Sequence, residues 1–391
     1  MTSAIIITFC VLLLIAYLFD VTSSRTKIPS VILLLVLGWL LKEISHIFKI
    51  SIPDISFSLP LLGTIGLILI VLDGTLELEI EKGKLRSIAQ PLIGSLFSVI
   101  FLSALLSFLF MKLGAADFRS ALLYAVPFSI ISSAIAIPST RSMCRENREF
   151  VVYDTSFSDI LGVVIFSYLA YSSSFSIGSV TFFIAQIIFM IFISVAASAG
   201  LSYLLGRMRH QIKFIPIILL IMLIYSLAEL YHLPALIFIL IFGLTIANLQ
   251  RLTKLPLISK FFFGSIEKEV TRFKEINAEA TFLIRSLFFL VFGFMIETSE
   301  ILDPGTLKLA FFIVFIILTI RAFQLKITGN KLFPLLFIVP RGLITILLFM
   351  SITTANKIPF ITENLILQII VISSAVMILG TATVKKVNSD T

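Results

Sequence analysis

The chain has 391 residues, of which 59% are hydrophobic and 13% are charged, and its mean hydropathy is +1.11. Soluble globular chains are nearer half apolar and a quarter charged, so this composition excludes an ordinary soluble domain and indicates a polytopic membrane protein. The formal net charge of +8 could suggest a nucleic-acid binder. Because the basic residues are spread over many short loops, we attribute the charge to membrane topology and expect no nucleic-acid partner.

Thirteen apolar segments are long enough to cross the hydrocarbon core of a bilayer as helices. In chain order these spans are 4–20, 28–45, 59–77, 88–112, 118–140, 151–172, 178–205, 213–229, 233–250, 277–296, 305–324, 332–353 and 362–384. We therefore predict an all-α membrane protein of about 13 transmembrane helices that lies in a lipid bilayer.

The basic residues predict how these spans are oriented. With alternate loops assigned to the cytoplasm, starting at Arg25 and Lys27, that side holds 21 of the 30 Lys and Arg residues and the other side holds six. This bias predicts an extracellular N-terminus and a cytoplasmic C-terminus in the inner (plasma) membrane. We expect the segment 251–276 to lie along the cytoplasmic interface as an amphipathic linker.

Motifs of common enzymes, cofactor sites and metal sites are absent from the sequence. The two cysteines, Cys10 and Cys144, are far apart and support neither a disulfide framework nor a metal site. The chain contains no HExxH, GxSxG, Walker A or GxGxxG motif. We therefore expect neither an enzyme nor a cofactor.

Asp159 is a carboxylate partway along the sixth span, where burying an ionised group costs about 3 kcal/mol or more. This cost predicts an ion or proton site. Asp154 lies on the same span, one helical turn from Ser158. One carboxylate could hold a countercharge while the other exchanges a proton for a cation. The alternative is that both are tied to arginines in a structural network.

Three arginines lie inside spans and need partners, because an arginine stays charged even when it is buried. Arg321 in the eleventh span is the predicted partner of Asp154, and Arg285 in the tenth span is the competing candidate. Arg341 interrupts the twelfth span. Asp20 is near a helix end, where we expect it to reach water.

Two of the spans are interrupted by proline, serine or glycine. The fifth span carries Pro127 and the pair Ser132 and Ser133, and the twelfth carries Pro334 and the tripeptide 340–342. Paired interruptions in corresponding positions are typical of transporters built from inverted repeats. Unwound carbonyls and half-helix ends can then coordinate a cation near the middle of the membrane.

Short motifs follow one another in a fixed order along nearly the whole chain. They are Lys27 to Gly38 in the second span, Asp73 to Leu78 in the third, Ala228 and Glu229 in the eighth, Gly243 to Asn248 in the ninth, Gly293 in the tenth and Pro340 to Gly342 in the twelfth. In this order they resemble the monovalent cation:proton antiporter superfamily, of the bacterial sodium/proton exchanger type.

The resemblance implies a single transmembrane antiporter domain over 1–391 with two bundles. A scaffold bundle, approximately 1–87 and 173–300, would form the interface of a homodimer. A core bundle, approximately 88–172 and 301–384, would hold inverted repeats in which the interrupted fifth and twelfth spans cross. Movement of the core bundle would give alternating access.

The resemblance also implies roles for individual residues. Asp159 matches the ion-binding aspartate of the family and would hold the monovalent cation. Ser158 falls where electroneutral members have Asn and electrogenic members have Asp. Asp154 and Arg321 match the acid and arginine that form a structural ion pair in the electroneutral branch.

Ser132 and Ser133 fall where many members have Thr-Asp, or Ser-Ser in the potassium-efflux branch. With no acid there, one carboxylate remains at the crossing, which favours electroneutral exchange of one cation for one proton. Ser158, Ser132 and Ser133 or nearby carbonyls would supply oxygen ligands. The secondary candidates for the site are Asp73, Glu229, Arg285 and Arg341.

The predicted function is exchange of a monovalent cation for protons, with Na⁺ as the first choice and K⁺ or Li⁺ as alternatives. A second hypothesis is a sodium-coupled symporter of an organic anion, in which Arg285 or Arg341 faces the substrate carboxylate. A passive channel and a non-transporting sensor are further alternatives.

Overall fold

The computed structural model describes residues 2–26, 28–48, 57–78, 85–140, 143–171, 176–207, 214–249, 267–297, 303–352 and 358–382. Within these ranges the regular structure is entirely helical. The helices are α1 (Thr2–Thr26), α2 (Ser30–Ile47), α3 (Ser58–Leu76), α4 (Leu85–Lys112), α5 (Phe118–Ser129), α6 (Ser133–Ser139), α7 (Arg145–Tyr171), α8 (Ile177–Arg207), α9 (Phe214–Leu230), α10 (Ala235–Ala247), α11 (Glu267–Met295), α12 (Pro304–Ile327), α13 (Leu343–Met350) and α14 (Glu363–Ala382). A 3₁₀ turn, Leu335–Phe337, precedes α13.

The prediction of an all-helical membrane protein is confirmed. In the described ranges, ten helical stretches are long and apolar enough to cross a membrane, with α5 and α6 counted as one stretch. The helices α9 and α10 are also apolar but are shorter, at 17 and 13 residues. The predicted span 332–353 contains the 3₁₀ turn and α13, so it is strongly interrupted.

The helix α11 begins earlier than the predicted tenth span. The sequence predicts an interfacial linker over 251–276, but residues 267–276 form the first turns of α11 instead. This stretch is rich in Glu, Lys and Arg, which favour a helix and here extend the apolar segment that follows. The remainder of the predicted linker, 251–266, lies outside the described residues.

Aspartate side chains fix the start of two helices that carry site residues. Asp117 accepts a hydrogen bond from the Ser120 main-chain N–H at 3.0 Å, at the start of α5. Asp303 accepts from the Gly305 main-chain N–H at 3.2 Å, with Pro304 as the first residue of α12. Both arrangements satisfy main-chain donors that a helix leaves unpaired at its N-terminus.

Glycines bring α2 and α11 into main-chain contact. A Cβ atom on Gly38 would lie 2.8 Å from the Phe294 main-chain nitrogen, and one on Gly293 would lie 2.9 Å from Leu35 Cα. Real side chains do not fit at these separations, so both positions require glycine. The contact fixes the depth of α11 relative to α2, and with it the position of Arg285.

The chain divides into two compact units. The first contains Met1–Thr64, Arg86–Asp159 and Leu283–Thr391, and therefore both interrupted spans. The second contains Ile65–Leu85 and Ile160–Phe282. The scaffold and core bundles implied by the sequence are a different division of the chain, and they stay a prediction together with the inverted repeats and the homodimer.

Candidate ion-binding site

The fifth span is broken at three residues between two helices. The helix α5 ends at Ser129 and α6 begins at Ser133. Between them Ile130 (φ −79°, ψ 128°) and Ser132 (φ −67°, ψ 109°) have extended backbones. This break frees main-chain groups that an uninterrupted helix would pair internally.

The twelfth span is broken over a longer stretch. The backbone is non-helical from Ile338 to Gly342, between the 3₁₀ turn and α13. Pro340 has no N–H to continue a helix. A Cβ atom on Gly342 would lie 2.9 Å from Ser132 Cβ, so the absence of a side chain allows the two broken segments to approach each other.

The two interruptions meet and are joined by hydrogen bonds. The Ser132 main-chain N–H donates to the Pro340 carbonyl oxygen at 2.9 Å. In the first turn of α13, Thr345 Oγ1 donates to the Pro127 carbonyl oxygen at 3.2 Å. The fifth and twelfth spans therefore pair directly at the positions where each departs from helical geometry.

Arg341 is buried at this junction, with 1% of its surface exposed. Its Nε donates to the Phe128 carbonyl oxygen at 2.6 Å and its Nη1 to the Val339 carbonyl oxygen at 3.0 Å. The first acceptor belongs to the C-terminal end of α5, where unpaired carbonyls carry partial negative charge. The guanidinium group therefore stabilises the broken end of α5.

Asp159 of α7 lies against the break in the fifth span. Ser133 Oγ donates to Asp159 Oδ2 at 2.5 Å. Asp159 Oδ1 is buried and has no hydrogen-bond partner among the described residues. Ser158 Oγ accepts from the Ile131 main-chain N–H at 3.1 Å, so it holds the extended segment in place, next to Ser132.

This arrangement can bind a proton or a cation. A carboxylate oxygen without a donor can be protonated, or can ligate a cation together with hydroxyl and carbonyl oxygens. Of the four predicted ligands, Asp159 and Ser133 are directly bonded. Ser158 is bonded to the intervening backbone, and Ser132 contributes its main-chain N–H to the crossing.

Asp154, five residues earlier on α7, is fully buried and has a different environment. Its Oδ2 accepts from Arg321 Nη1 at 2.5 Å and its Oδ1 from Gln324 Nε2 at 2.6 Å. Arg321 Nε also donates to the Leu335 carbonyl oxygen at 3.2 Å, and its guanidinium lies 5.8 Å from the centre of the Phe150 ring. Both oxygens of Asp154 are therefore occupied by donors from α12.

Gln324 is the member of this cluster that the sequence reasoning missed. It lies three residues after Arg321 on α12, and its Oε1 accepts from Arg321 Nη1 at 2.8 Å. Side chains three residues apart share a helix face. A polar residue at this spacing from a buried arginine was the signal that could have revealed it.

Arg285, the competing partner for Asp154, is bonded to Asp20 instead. Arg285 Nη2 lies 3.1 Å from Asp20 Oδ1, which also accepts from Ser30 Oγ at 3.0 Å. Asp20 lies six residues before the end of α1, and its side chain is 42% exposed, so it reaches water as the sequence predicts. It also joins α1, α2 and α11 through these bonds.

The other two secondary candidates lie in the second compact unit. Asp73 Oδ1 on α3 accepts from Asn277 Nδ2 of α11 at 3.3 Å. Glu229 lies at the end of α9 with an exposed side chain.

Comparison with solved structures finds a similar fold in the sodium proton antiporter MjNhaP1 from Methanocaldococcus jannaschii. Its structure at pH 8 has 19% sequence identity and a TM-score of 0.66, covering 96% of this chain and 95% of that chain. An electron-microscopy map of the same antiporter has 19% identity and a TM-score of 0.61, covering 98% and 95%. Likeness at this identity establishes the shared fold. A sequence search among curated proteins found no match.

A family model described as the transmembrane sodium/hydrogen exchanger matches residues 10–387. The matched region contains both interrupted spans, Asp154 with its arginine, and Asp159 with its serine. Because one family model matches nearly the whole chain, the protein belongs to the sodium/hydrogen exchanger family.

Proposed function

We propose that this protein exchanges a monovalent cation, Na⁺ as the first choice, for protons across the membrane. The observation that carries the proposal is Asp159, which lies at the crossing of two interrupted spans. One of its oxygens is bonded to Ser133, and the other is buried without a partner among the described residues. Asp159 would hold the cation and the proton in turn.

The neighbouring charges support an exchange of one cation for one proton. Asp154 is committed to Arg321 and Gln324, and Arg341 is bonded to carbonyl oxygens. Asp159 is then the carboxylate available for the transported ions. Since one carboxylate can carry one proton or one monovalent cation, the exchange is electroneutral and does not respond to membrane potential.

The cation would be ligated by oxygens around the break in the fifth span. Ser133 and Ser158 are already close to Asp159 or to the extended backbone beside it. Ser132 and the carbonyl groups freed by the break are the further ligands of this proposal. Alternating access to the site from the two sides of the membrane completes the transport cycle.

The symport alternative has less support from the contacts of the arginines. It requires Arg285 or Arg341 to bind a substrate carboxylate. Arg285 is paired with Asp20, and two guanidinium nitrogens of Arg341 are bonded to carbonyl oxygens. Both groups would have to give up these bonds before they could bind an organic anion.

The proposed setting is the plasma membrane, with the N-terminus outside and the C-terminus in the cytoplasm. The excess of Lys and Arg in alternate loops, 21 against six, supports this orientation. We further propose a homodimer as the working assembly.

The deciding experiment compares wild type with Asp159→Asn in liposomes that enclose a pH-sensitive dye. Na⁺, K⁺ or Li⁺ is added outside with the membrane potential clamped at zero. We expect one of these cations to drive proton movement in wild type and none to do so in Asp159→Asn. Asn cannot exchange a proton for a cation, so the loss should be complete while the protein stays folded.

Glu149→Gln is the matched control, because Glu149 lies on the same helix α7 and forms a surface ion pair with Arg145. It should exchange like wild type. An active Asp159→Asn protein would remove Asp159 from its proposed role. Wild-type activity that needs a membrane potential, or an added organic anion, would contradict electroneutral antiport.

A further inference from the structure

The ion pair between Asp20 and Arg285 is hydrogen-bonded to Ser30, which lies in the wall of a small cavity. Asp20 Oδ1 is 3.1 Å from Arg285 Nη2 and 3.0 Å from Ser30 Oγ. The Asp20 side chain is 42% exposed and the Arg285 side chain 15%. Ser30 lines the cavity and donates a hydrogen bond to Asp20, so the Asp20 carboxylate is close to the cavity without lining it.

The cavity lies between the start of α2 and the short helix α6. Ser23, Ile28 and Ser30 line one wall, and Ala134 and Ser139 of α6 line the other. Ala134 directly follows Ser133, whose hydroxyl donates to Asp159. The space is about 20 Å³, which is room for roughly one water molecule.

The small volume of this cavity makes the charge of its walls important. An ion inside it cannot keep a full hydration shell, so nearby charges are less screened than in bulk water. An intact Asp20–Arg285 pair presents almost no net charge. Loss of either partner would leave one unit charge beside the cavity, of opposite sign in the two cases.

We propose that the Asp20–Arg285 pair sets the electrostatic potential of the cytoplasmic access path to Asp159, and so sets the cation affinity on that side. This inference rests on the proposed function and on the predicted orientation, which places the connection between α1 and α2 in the cytoplasm. The pair is a positioning and tuning element and does not itself bind the transported ion at Asp159.

The test uses four proteins: wild type, Asp20→Asn, Arg285→Gln and the double variant. Exchange is measured in vesicles whose cytoplasmic face is outside, as initial rate against cation concentration. Even with the screening of bulk water, a unit charge about 6 Å from an ion changes the local cation concentration about threefold, and the weaker screening beside the cavity makes this the minimum effect. Arg285→Gln should therefore lower the cation KM at least about threefold, Asp20→Asn should raise it at least about threefold, and the double variant should return to wild type.

Two features separate this effect from simple damage to the fold. A structural role predicts that both single variants lose activity or stability in the same direction. An electrostatic role predicts opposite shifts in KM at unchanged kcat, and both shifts shrink when choline chloride raises the ionic strength.

Arg145→Gln and Glu149→Gln provide matched charge changes at a surface pair away from the cavity. The two residues form an exposed ion pair at the start of α7. Neither variant should shift the cation KM.

A second readout does not depend on transport. In a Cys10→Ser, Cys144→Ser background, Ile28→Cys places a thiol in the cavity wall. The ratio of its modification rates by cationic and anionic thiosulfonate reagents reports the local potential. Arg285→Gln should raise this ratio and Asp20→Asn should lower it.

The outcomes distinguish the two proposals. If wild type exchanges cations but both single variants shift KM in the same direction, or not at all, the electrostatic assignment is overturned. If wild type exchanges no cation, the proposed function fails by itself. An unchanged thiol ratio then overturns the electrostatic assignment as well, and opposite shifts in the ratio support it.

Discussion

Asp154 and Asp159 are the same residue type, five positions apart on α7, yet their surroundings assign them different tasks. Asp154 has a donor on each carboxylate oxygen, whereas Asp159 has one bonded oxygen and one without a described partner. Five residues correspond to a rotation of about 140° around a helix, so the two side chains point to different neighbours. One faces α12 and the other faces the break between α5 and α6.

Asp154→Asn should destabilise the protein without removing the exchange site. Asn keeps the shape of the side chain but leaves Arg321 buried without its countercharge, at a cost of about 3 kcal/mol. The free energy of unfolding, measured by chemical denaturation of the detergent-solubilised protein, should fall by this amount. The cation KM of the folded fraction should not change. Gln324→Leu, which removes one donor to Asp154, should cost about 2 kcal/mol.

The surface variant Glu149→Gln is the control for this prediction, with an expected cost of about 0–1 kcal/mol. If Asp154→Asn unfolds like wild type and instead changes which cation is exchanged, then Asp154 belongs to the ion site and the division of tasks is wrong.

For individual residues, the sequence predicted which side chains belong to the site more accurately than it predicted the partners of those side chains. It singled out Asp154 and Arg321 because charges in apolar spans are costly. It left Arg285 as a competing candidate for Asp154, since the true partners are more than 150 positions apart in the chain. The Asp20–Arg285 bond and the role of Gln324 depend on how helices are arranged in space, which periodicity does not specify.

The two interrupted spans act as one structural element. The bond from Ser132 to Pro340 and the bonds from Arg341 and Thr345 to carbonyls of α5 tie the breaks together. Buried main-chain N–H and carbonyl groups need hydrogen-bond partners in an apolar setting. Each interrupted span therefore supplies partners for main-chain groups that the break in the other span leaves unpaired.

Gly342→Ala should disturb this element directly. The new Cβ would lie 2.9 Å from Ser132 Cβ and 3.0 Å from Ile135 Cδ1. We expect a loss of about 1–3 kcal/mol from overpacking, measured by unfolding in detergent. Adding Ser132→Gly removes the main obstacle and should restore most of the stability.

Gly200→Ala is the matched control, since a Cβ at Gly200 would meet no atom within 4 Å. It should be neutral or slightly stabilising. A Gly342→Ala protein as stable as wild type would mean that the crossing can open without cost.

Proline and glycine marked both breaks in the sequence, because these residues act on the backbone locally. Helix boundaries were harder to predict. The stretch 267–276 is polar enough to suggest an interfacial segment, but in the structure it continues into α11. Its first turns gain stability from the long apolar helix that follows, and a local pattern does not contain that contribution.

Considered as a whole molecule, the protein is a multi-pass membrane protein with the fold of a known antiporter and the sequence of its family. The family resemblance was visible in the sequence because its motifs occur in order over nearly the whole chain. The dimer, the two moving bundles and the transported cation stay predictions, because each depends on a second chain, another conformation or a bound ion.

Competition between proton and cation for Asp159 predicts a specific pH dependence. When protons occupy most sites, each fall of one pH unit should raise the apparent cation KM about tenfold, because one proton competes for one site. A plot of log KM against pH should therefore approach a slope of about −1 at low pH, with the maximal rate measured separately at each pH.

A slope near −2 would indicate two protons per cation, and hence a second carboxylate in the exchange. If the cation KM did not change with pH, the proton and the cation would not compete for the same site. Either result contradicts exchange at a single shared carboxylate.

The bond between Ser132 and Pro340 is made by main-chain atoms, and this has a consequence for protein engineering. Most amino acids present the same N–H at position 132, so the link between the two spans does not depend on the side chain there, provided that the replacement is small and is not proline. Cation selectivity could thus be redesigned at position 132 while the scaffold that supports the crossing is preserved.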